Sequence, residues 1–251
     1  MITLIFPTLA SVFLVAIRLG TVLLFAPIQA IRLLPIHARL LIVIALSTLL
    51  TANLSLPAAP VNETALVAGA LAEFANGLIL SMSLYAAFAV FSIAGQMIDT
   101  QMGLNSLAIL NPADHSHEPL TSRLLSMLAL LFFFSLGGFQ WLIQGLTYSF
   151  LMIPPGELIL LKGLNSIIKQ FSFMFSLGLI IASPVVIGLW IIDLCGGVLT
   201  RNMPQANPYF ITLPVKILLG LFLFSLMLTY ISPLMGQVFD HGFQSWLEIL
   251  P

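Results

Sequence analysis

Residues 201–220 read RNMPQANPYFITLPVKILLG, with an arginine, a glutamine, two asparagines, a lysine and three prolines set between two strongly apolar stretches. Polar, proline-broken backbone at membrane depth persists only where protein covers it or where it lines a water-filled cavity. Three readings follow: a substrate site, an ion path, or a seam on which another subunit docks.

The surroundings of that stretch fix the class of protein. Of 251 residues, 60% are hydrophobic and 7% are charged, and the mean hydropathy is +1.12. Soluble domains carry about 25% charged residues, so the bilayer or a large assembly must act as solvent for most of this surface. A net charge of −1 leaves no basic patch to neutralise phosphates, which excludes nucleic acid as a partner. The single cysteine, Cys195, excludes an internal disulfide and offers no metal-ligand spacing. The N-terminal run MITLIFPTLASVFLVAIRLG has no basic lead-in and is interrupted by Arg18, so it reads as a retained membrane helix and not a cleaved signal.

Six apolar stretches can be marked, about 4–30, 40–54, 65–95, 124–153, 171–199 and 209–235. A simple span needs about 20 apolar residues. The stretch 40–54 falls short of that and 65–95 exceeds it, an unequal pair that predicts broken or re-entrant helices. Helix breakers separate the stretches: Pro57 and Pro60, Pro112 and Pro119, Pro154-Pro155-Gly156, and Pro204 and Pro208. Arg32 and Arg39, Arg123, and Lys162 and Lys169 fall in loops that would lie on opposite sides of a bilayer. That conflict with the positive-inside rule argues against a conventional up-and-down bundle.

Gly69, Glu73, Gly77 and Ser81 recur every four residues and share a helical face; Gly137, Trp141, Gly145 and Ser149 repeat the spacing, flanked by Gln140 and Gln144. Small residues on one face let helix backbones approach closely. Arg18, Glu73 and Asp193 lie deep in apolar stretches. Each costs about 2.5–3.5 kcal/mol at a helix centre on the insertion scale, so each should face protein or water. They would be relay groups in a proton-coupled transporter, or would pair across helix contacts in a subunit of a larger complex; one base and two acids are few for a relay. No HExxH, GxSxG or glycine-rich phosphate loop is present, and nothing around Asp99 or Asp193 supports an aspartic dyad. His115 and His117, beside Asp114 and Glu118, read as a solvated loop in preference to a metal site, because a full ligand set is missing. Asn62-Glu63-Thr64 matches a glycosylation sequon that matters only in a secretory lumen.

Two stretches together are specific: GQMIDTQMGLNSLAILNPADHSHEP at 95–119, and RNMPQANPYFITLPVKILLG at 201–220. In this order and separation they resemble the FliR/SpaR/SctT family of type III secretion export-gate subunits. The resemblance takes in Pro27, Arg32, Pro35 and Arg39, the Glu73-containing helix, and above all Pro204-Gln205, Asn207, Pro214 and Lys216. LPVKILLG resembles the flagellar form, because virulence members tend to a serine near the lysine. Ser183-Pro184, Gly196-Gly197, Pro204-Gln205, Asn207, Pro214 and Lys216 are also similar in order to FliQ, a two-helix gate subunit.

The resemblance implies an all-α membrane protein of helical hairpins with broken or re-entrant helices. A FliP-like front half at 1–155 would carry a pore-plug loop near 104–119, and a FliQ-like hairpin would occupy 156–251. It implies a non-enzymatic subunit without cofactor, in the bacterial inner membrane at the flagellar basal body. FliP-like and FliQ-like subunits, an FlhB-like subunit and unfolded exported proteins would be its partners. The plug would comprise Leu104, Ser106, Leu107, Ile109, Leu110, Asn111 and Pro112. Many members show phenylalanine in place of Ser106 and Ile109 and aspartate in place of Asn111; Leu107, Ile109 and Leu110 would seal by excluding water. Arg18, Glu73, Asp193, Arg201, Pro204, Gln205, Asn207, Pro214 and Lys216 would serve subunit or helix packing, and the opening stretch becomes a seam. The competing reading is a stand-alone secondary transporter coupled through Glu73, Asp99 and Asp193, although its halves lack the matched pattern of transporter repeats.

Overall fold

The computed structural model describes residues 2–27, 34–54, 63–104, 120–158, 162–203 and 209–249. Among these residues there are helices and no strands: α1 (Ile2–Phe25), α2 (Ile36–Asn53), α3 (Glu63–Met102), α4 (Leu120–Ser135), α5 (Gly138–Met152), α6 (Lys162–Asn202) and α7 (Tyr209–Ile249). Five segments are long and apolar enough to cross a membrane: Thr8–Phe25, Ile36–Asn53, Thr64–Met102, Asn165–Asn202 and Thr212–Glu248. Among the described residues the pair α4 and α5, bent by 70°, has the length and apolarity of a broken span or a re-entrant loop. The chain is an all-α membrane protein.

The breaks fall where backbone chemistry demands them. Gly137 adopts a left-handed φ of 74° between α4 and α5, a conformation that glycine reaches without steric cost. Next to it, a Cβ on Gly138 would lie 2.5 Å from the Phe133 ring, so the bend closes only over two glycines. Pro154, Pro155 and Gly156 (φ 98°) turn the chain after α5. Pro35 caps α2: its carbonyl accepts the first regular helix bond from Arg39 and also the Ala38 amide, which a helix start otherwise leaves without a partner.

The unequal pair of apolar stretches therefore resolves differently from the sequence expectation. The region 40–54 extends back to Ile36 and forms an 18-residue helix, within reach of a span. The region 65–95 lies inside one 40-residue helix that contains no proline. The break lies instead in 124–153, at Gly137. Prolines inside α6 (Pro184) and α7 (Pro214 and Pro233) leave those helices continuous.

Two compact units emerge from packing: Met1–Ala87 with Phe133–Ser172 and Phe239–Pro251, and Phe88–Phe132 with Phe173–Val238. Each takes segments from both sides of the turn at 154–156.

In the first unit, α1 packs on α2, where Gly20 approaches Val43, and on α3, where Gly69 meets Leu14. Leu14, Leu19, Leu80, Leu142 and Phe150 are buried there. Lipid is as apolar as these side chains, so burial alone gives little drive between helices; close backbone approach and polar contacts must supply it. Gly77 serves that approach, since a Cβ there would overlap Thr21 Oγ1 and lie 3.0 Å from the Arg18 carbonyl.

In the second unit α6 and α7 form an antiparallel hairpin. Gly196 meets Thr212 near the turn, Asp193 meets Lys216 further out, and Gly188 meets Leu223 beyond that. The later part of α3 packs against the start of α4, where a Cβ on Gly95 would overlap the backbone of Ser122.

Candidate functional site

Arg18 is the largest fully buried side chain of α1, and a buried guanidinium must place five N–H donors. Nε and Nη2 donate to Glu73 Oε2 and Oε1, the latter at 2.8 Å, a two-pronged pair with both side chains 0% exposed. Nη1 donates to the Ser149 carbonyl at 3.0 Å and to Ser149 Oγ at 3.3 Å. The second hydrogen of Nη2 goes to the Ile153 carbonyl at 3.2 Å. The guanidinium also lies 4.4 Å from the centroid of the Phe150 ring. Ser149 and Ile153 are at the C-terminal end of α5, where the helix dipole favours a cation.

Glu73 completes the cluster by accepting the Gly156 amide at 2.8 Å. One helical turn further, Asn76 Nδ2 donates to the Glu157 carbonyl at 2.6 Å. The two four-spaced faces read from the sequence thus converge on one arginine, Glu73 from the first and Ser149 from the second. Gly145 belongs to the second face as expected, lying against Trp246. Gly137 does not: nothing stands within 4 Å of a Cβ built on it, and its role is the bend.

Two further carboxylates are engaged in the second unit. Asp99 is 0% exposed, and its Oδ1 and Oδ2 accept the amides of Thr121 at 3.1 Å and Ser122 at 2.9 Å. Those are orphan donors of the first turn of α4, so Asp99 acts as a helix cap supplied from α3. Its own carbonyl accepts the Leu104 amide at 3.0 Å. Asp193 receives Lys216 Nζ at 2.8 Å and Gln101 Nε2 at 2.8 Å. Lys216 thereby finds a partner within the chain.

Arg201 is exposed at the end of α6, and Pro214 lies inside α7. Leu104 ends the described turn after α3. Ser106, Leu107, Ile109, Leu110, Asn111 and Pro112, the histidines His115 and His117, the sequon residue Asn62, and Pro204, Gln205 and Asn207 lie outside the described residues. Among the described residues no three His, Cys, Asp or Glu groups come together as metal ligands. Sequence reasoning missed Gln170, which is buried and joins Ser83 through Nε2 to the carbonyl (3.1 Å) and Oε1 from the hydroxyl (2.6 Å). A glutamine in an apolar helix was the available signal. It also missed Gln101, whose partner lies 92 residues away.

This geometry is that of polar contacts holding apolar helices together. Residues 9–242 match the family described as bacterial export proteins, family 1. The chain is 29% identical over 226 residues to flagellar biosynthetic protein FliR of Escherichia coli (strain K12), covering 90% of this chain and 87% of that protein. It is 29% identical over 178 residues to flagellar biosynthetic protein FliR of Bacillus subtilis (strain 168), covering 69% of each. Surface presentation of antigens protein SpaR of Shigella flexneri is 27% identical over 151 residues, covering 60% of this chain and 59% of its own. With a family match that runs from α1 into the last turns of α7, this chain belongs to the bacterial export proteins, family 1.

Proposed function

We propose that the chain is a component of a flagellar type III protein export apparatus, acting as a structural and gating subunit of the export gate in the bacterial inner membrane at the basal body. The observation that carries this is the family match over residues 9–242, with FliR relatives named for flagellar biosynthesis along most of the chain. It would complete a helical pore with FliP-like and FliQ-like subunits, beside an FlhB-like subunit, and unfolded proteins would pass through the centre. The role is mechanical, without catalysis or cofactor. The carboxylates a transporter would use support this reading, because Glu73, Asp99 and Asp193 are each tied into contacts between helices.

Within this reading, Leu104 to Pro112 plug the pore and the stretch from Arg201 to Lys216 is a docking seam. Purification of the tagged chain from its host in mild detergent tests the assignment. Co-purification with FliP-like and FliQ-like subunits, and loss of flagellar protein export when the chain is deleted, are the expected results. A stable monomer that moves a small solute in liposomes would sink it. For the plug, removal of 105–112 should leave assembly intact and make the gate leak ions; unchanged conductance would remove that assignment.

A further inference from the structure

Between α5 and the C-terminal turns of α7, within the first compact unit, lies an open groove of about 500 Å³. Its walls are aromatic, with Trp141 and Tyr148 from one helix and Phe243 and Trp246 from the other. Trp141 and Phe243 meet edge to face with ring centroids 4.7 Å apart. The Trp246 ring lies where a Cβ on Gly145 would sit 2.6 Å from it, so only glycine leaves it room.

The polar groups of the groove are unspent. Asp240, Gln144 and Gln244 line it as exposed side chains, and among the described residues Asp240 has no hydrogen bond or ion pair and the two amides have no partner. Trp246 is 3% exposed, yet its indole N–H has no acceptor among the described residues and is not sealed from open space. An indole N–H that opens onto the groove can donate to whatever fills it. No lysine or arginine lines the groove.

These features select a ligand by charge. An unpaired carboxylate among aromatic faces attracts an ammonium group. The neutral donors of Gln144, Gln244 and Trp246 suit the oxygens of a phosphodiester, whereas a net anionic head group would meet Asp240 with no cation to offset it. Trp and Tyr favour the depth of lipid head groups, and α7, which supplies one wall of the groove, is long and apolar enough to cross a membrane. We propose that this groove binds the head group of a zwitterionic phospholipid of the ethanolamine type, its ammonium beside Asp240 and its phosphodiester on the amide and indole donors. The proposal rests on the membrane character of the chain and not on its place in an export gate.

Native mass spectrometry of the purified full chain, titrated with dioleoyl phosphatidylethanolamine and with dioleoyl phosphatidylglycerol, tests it. The expected result is a preference for the ethanolamine lipid of about tenfold, the ratio that about 1.4 kcal/mol confers. Asp240→Asn should abolish that preference with unchanged helix content and thermal unfolding, since Asp240 is exposed and has no partner among the described residues. Trp141→Ala should weaken both lipids and keep the direction of the preference. Equal binding of the two lipids by the unaltered chain, or an undiminished preference in Asp240→Asn, would overturn the proposal. So would carbodiimide cross-linking of Asp240 to a lysine of a neighbouring subunit in the complex from native membranes, which would make the occupant a protein side chain.

Discussion

Arg18–Glu73 and Lys216–Asp193 both join a basic side chain to a carboxylate inside apolar helices, yet their settings are opposite. In the first unit both partners are 0% exposed; in the second the lysine side chain is 16% exposed and the aspartate 45%. The helices around them follow suit. The candidate spans of α1 and α3 are 56% and 61% buried within the protein, against 28% and 22% for α6 and α7. Trp190, Ile191 and Leu194 on α6 and Leu218 and Phe222 on α7 present apolar surface outward. The first pair has no capacity left for an outside group, because all five donors of Arg18 are committed. The second retains exposed carboxylate surface, and that difference separates a contact closed within the fold from one that stays accessible.

The largest effect should come from opening the closed pair. Arg18→Leu or Glu73→Leu leaves one charge buried without its partner, which costs about 3–5 kcal/mol. Folded yield in detergent and resistance to limited proteolysis should collapse for either variant. Arg18→Leu combined with Glu73→Leu should recover part of the loss, because no unpaired charge remains. A double variant as unstable as the singles would show that the bonds to Ser149, Ile153 and Gly156 matter more than the ion pair.

Next comes close approach. At Gly95 a Cβ would overlap the backbone of Ser122, which cannot swing aside. Gly95→Ala should cost about 1–3 kcal/mol by overpacking, read as a lower unfolding temperature. Gly137→Ala has open space and meets only the penalty of its left-handed backbone, about 1–2 kcal/mol. Equal shifts at the two positions would say that α3 and α4 are packed less closely than the contact at Gly95 requires.

Asp99→Ala should follow at about 0.5–2 kcal/mol, the usual range for a lost helix cap, with faster amide exchange at Thr121 and Ser122. Asp99→Asn keeps one acceptor and should retain part of the protection. Unchanged exchange in Asp99→Ala would mean that other acceptors serve the first turn of α4.

Much of this architecture was legible because charge and glycine are conspicuous in so apolar a chain. Arg18, Glu73 and Asp193 stand out in their stretches, and the four-residue spacing of Gly69, Glu73, Gly77 and Ser81 marks a real contact face. What stayed hidden was partnership. Arg18 and Glu73 are 55 residues apart, Gln101 and Asp193 are 92 apart, and no local pattern encodes such separations. Gly137 shows the limit of spacing itself. It falls on the same four-residue series as Gly145 and Ser149, but its left-handed φ makes it a bend, and periodicity carries no record of backbone sign. The plug and seam readings rest on resemblance, since 105–119 and 204–208 lie outside the described residues.

The smallest effect on folding, and the sharpest use of the contrast between the two pairs, belongs to Lys216. A half-exposed ion pair is worth about 0.2–1 kcal/mol, so Lys216→Leu should shift the unfolding of the isolated chain only slightly. If a neighbouring subunit reads this region, the same substitution should nevertheless lower recovery of the chain in the assembled complex. Exchanging the charges with Asp193→Lys and Lys216→Asp separates the two roles. The exchange keeps an ion pair between α6 and α7, so it should restore the slight stability loss of Lys216→Leu. It also reverses the charges shown to the outside, so complex yield should stay low. Full recovery of assembly by the exchanged pair would make Lys216–Asp193 an internal clasp of the hairpin, the same in role as Arg18–Glu73 and different only in depth.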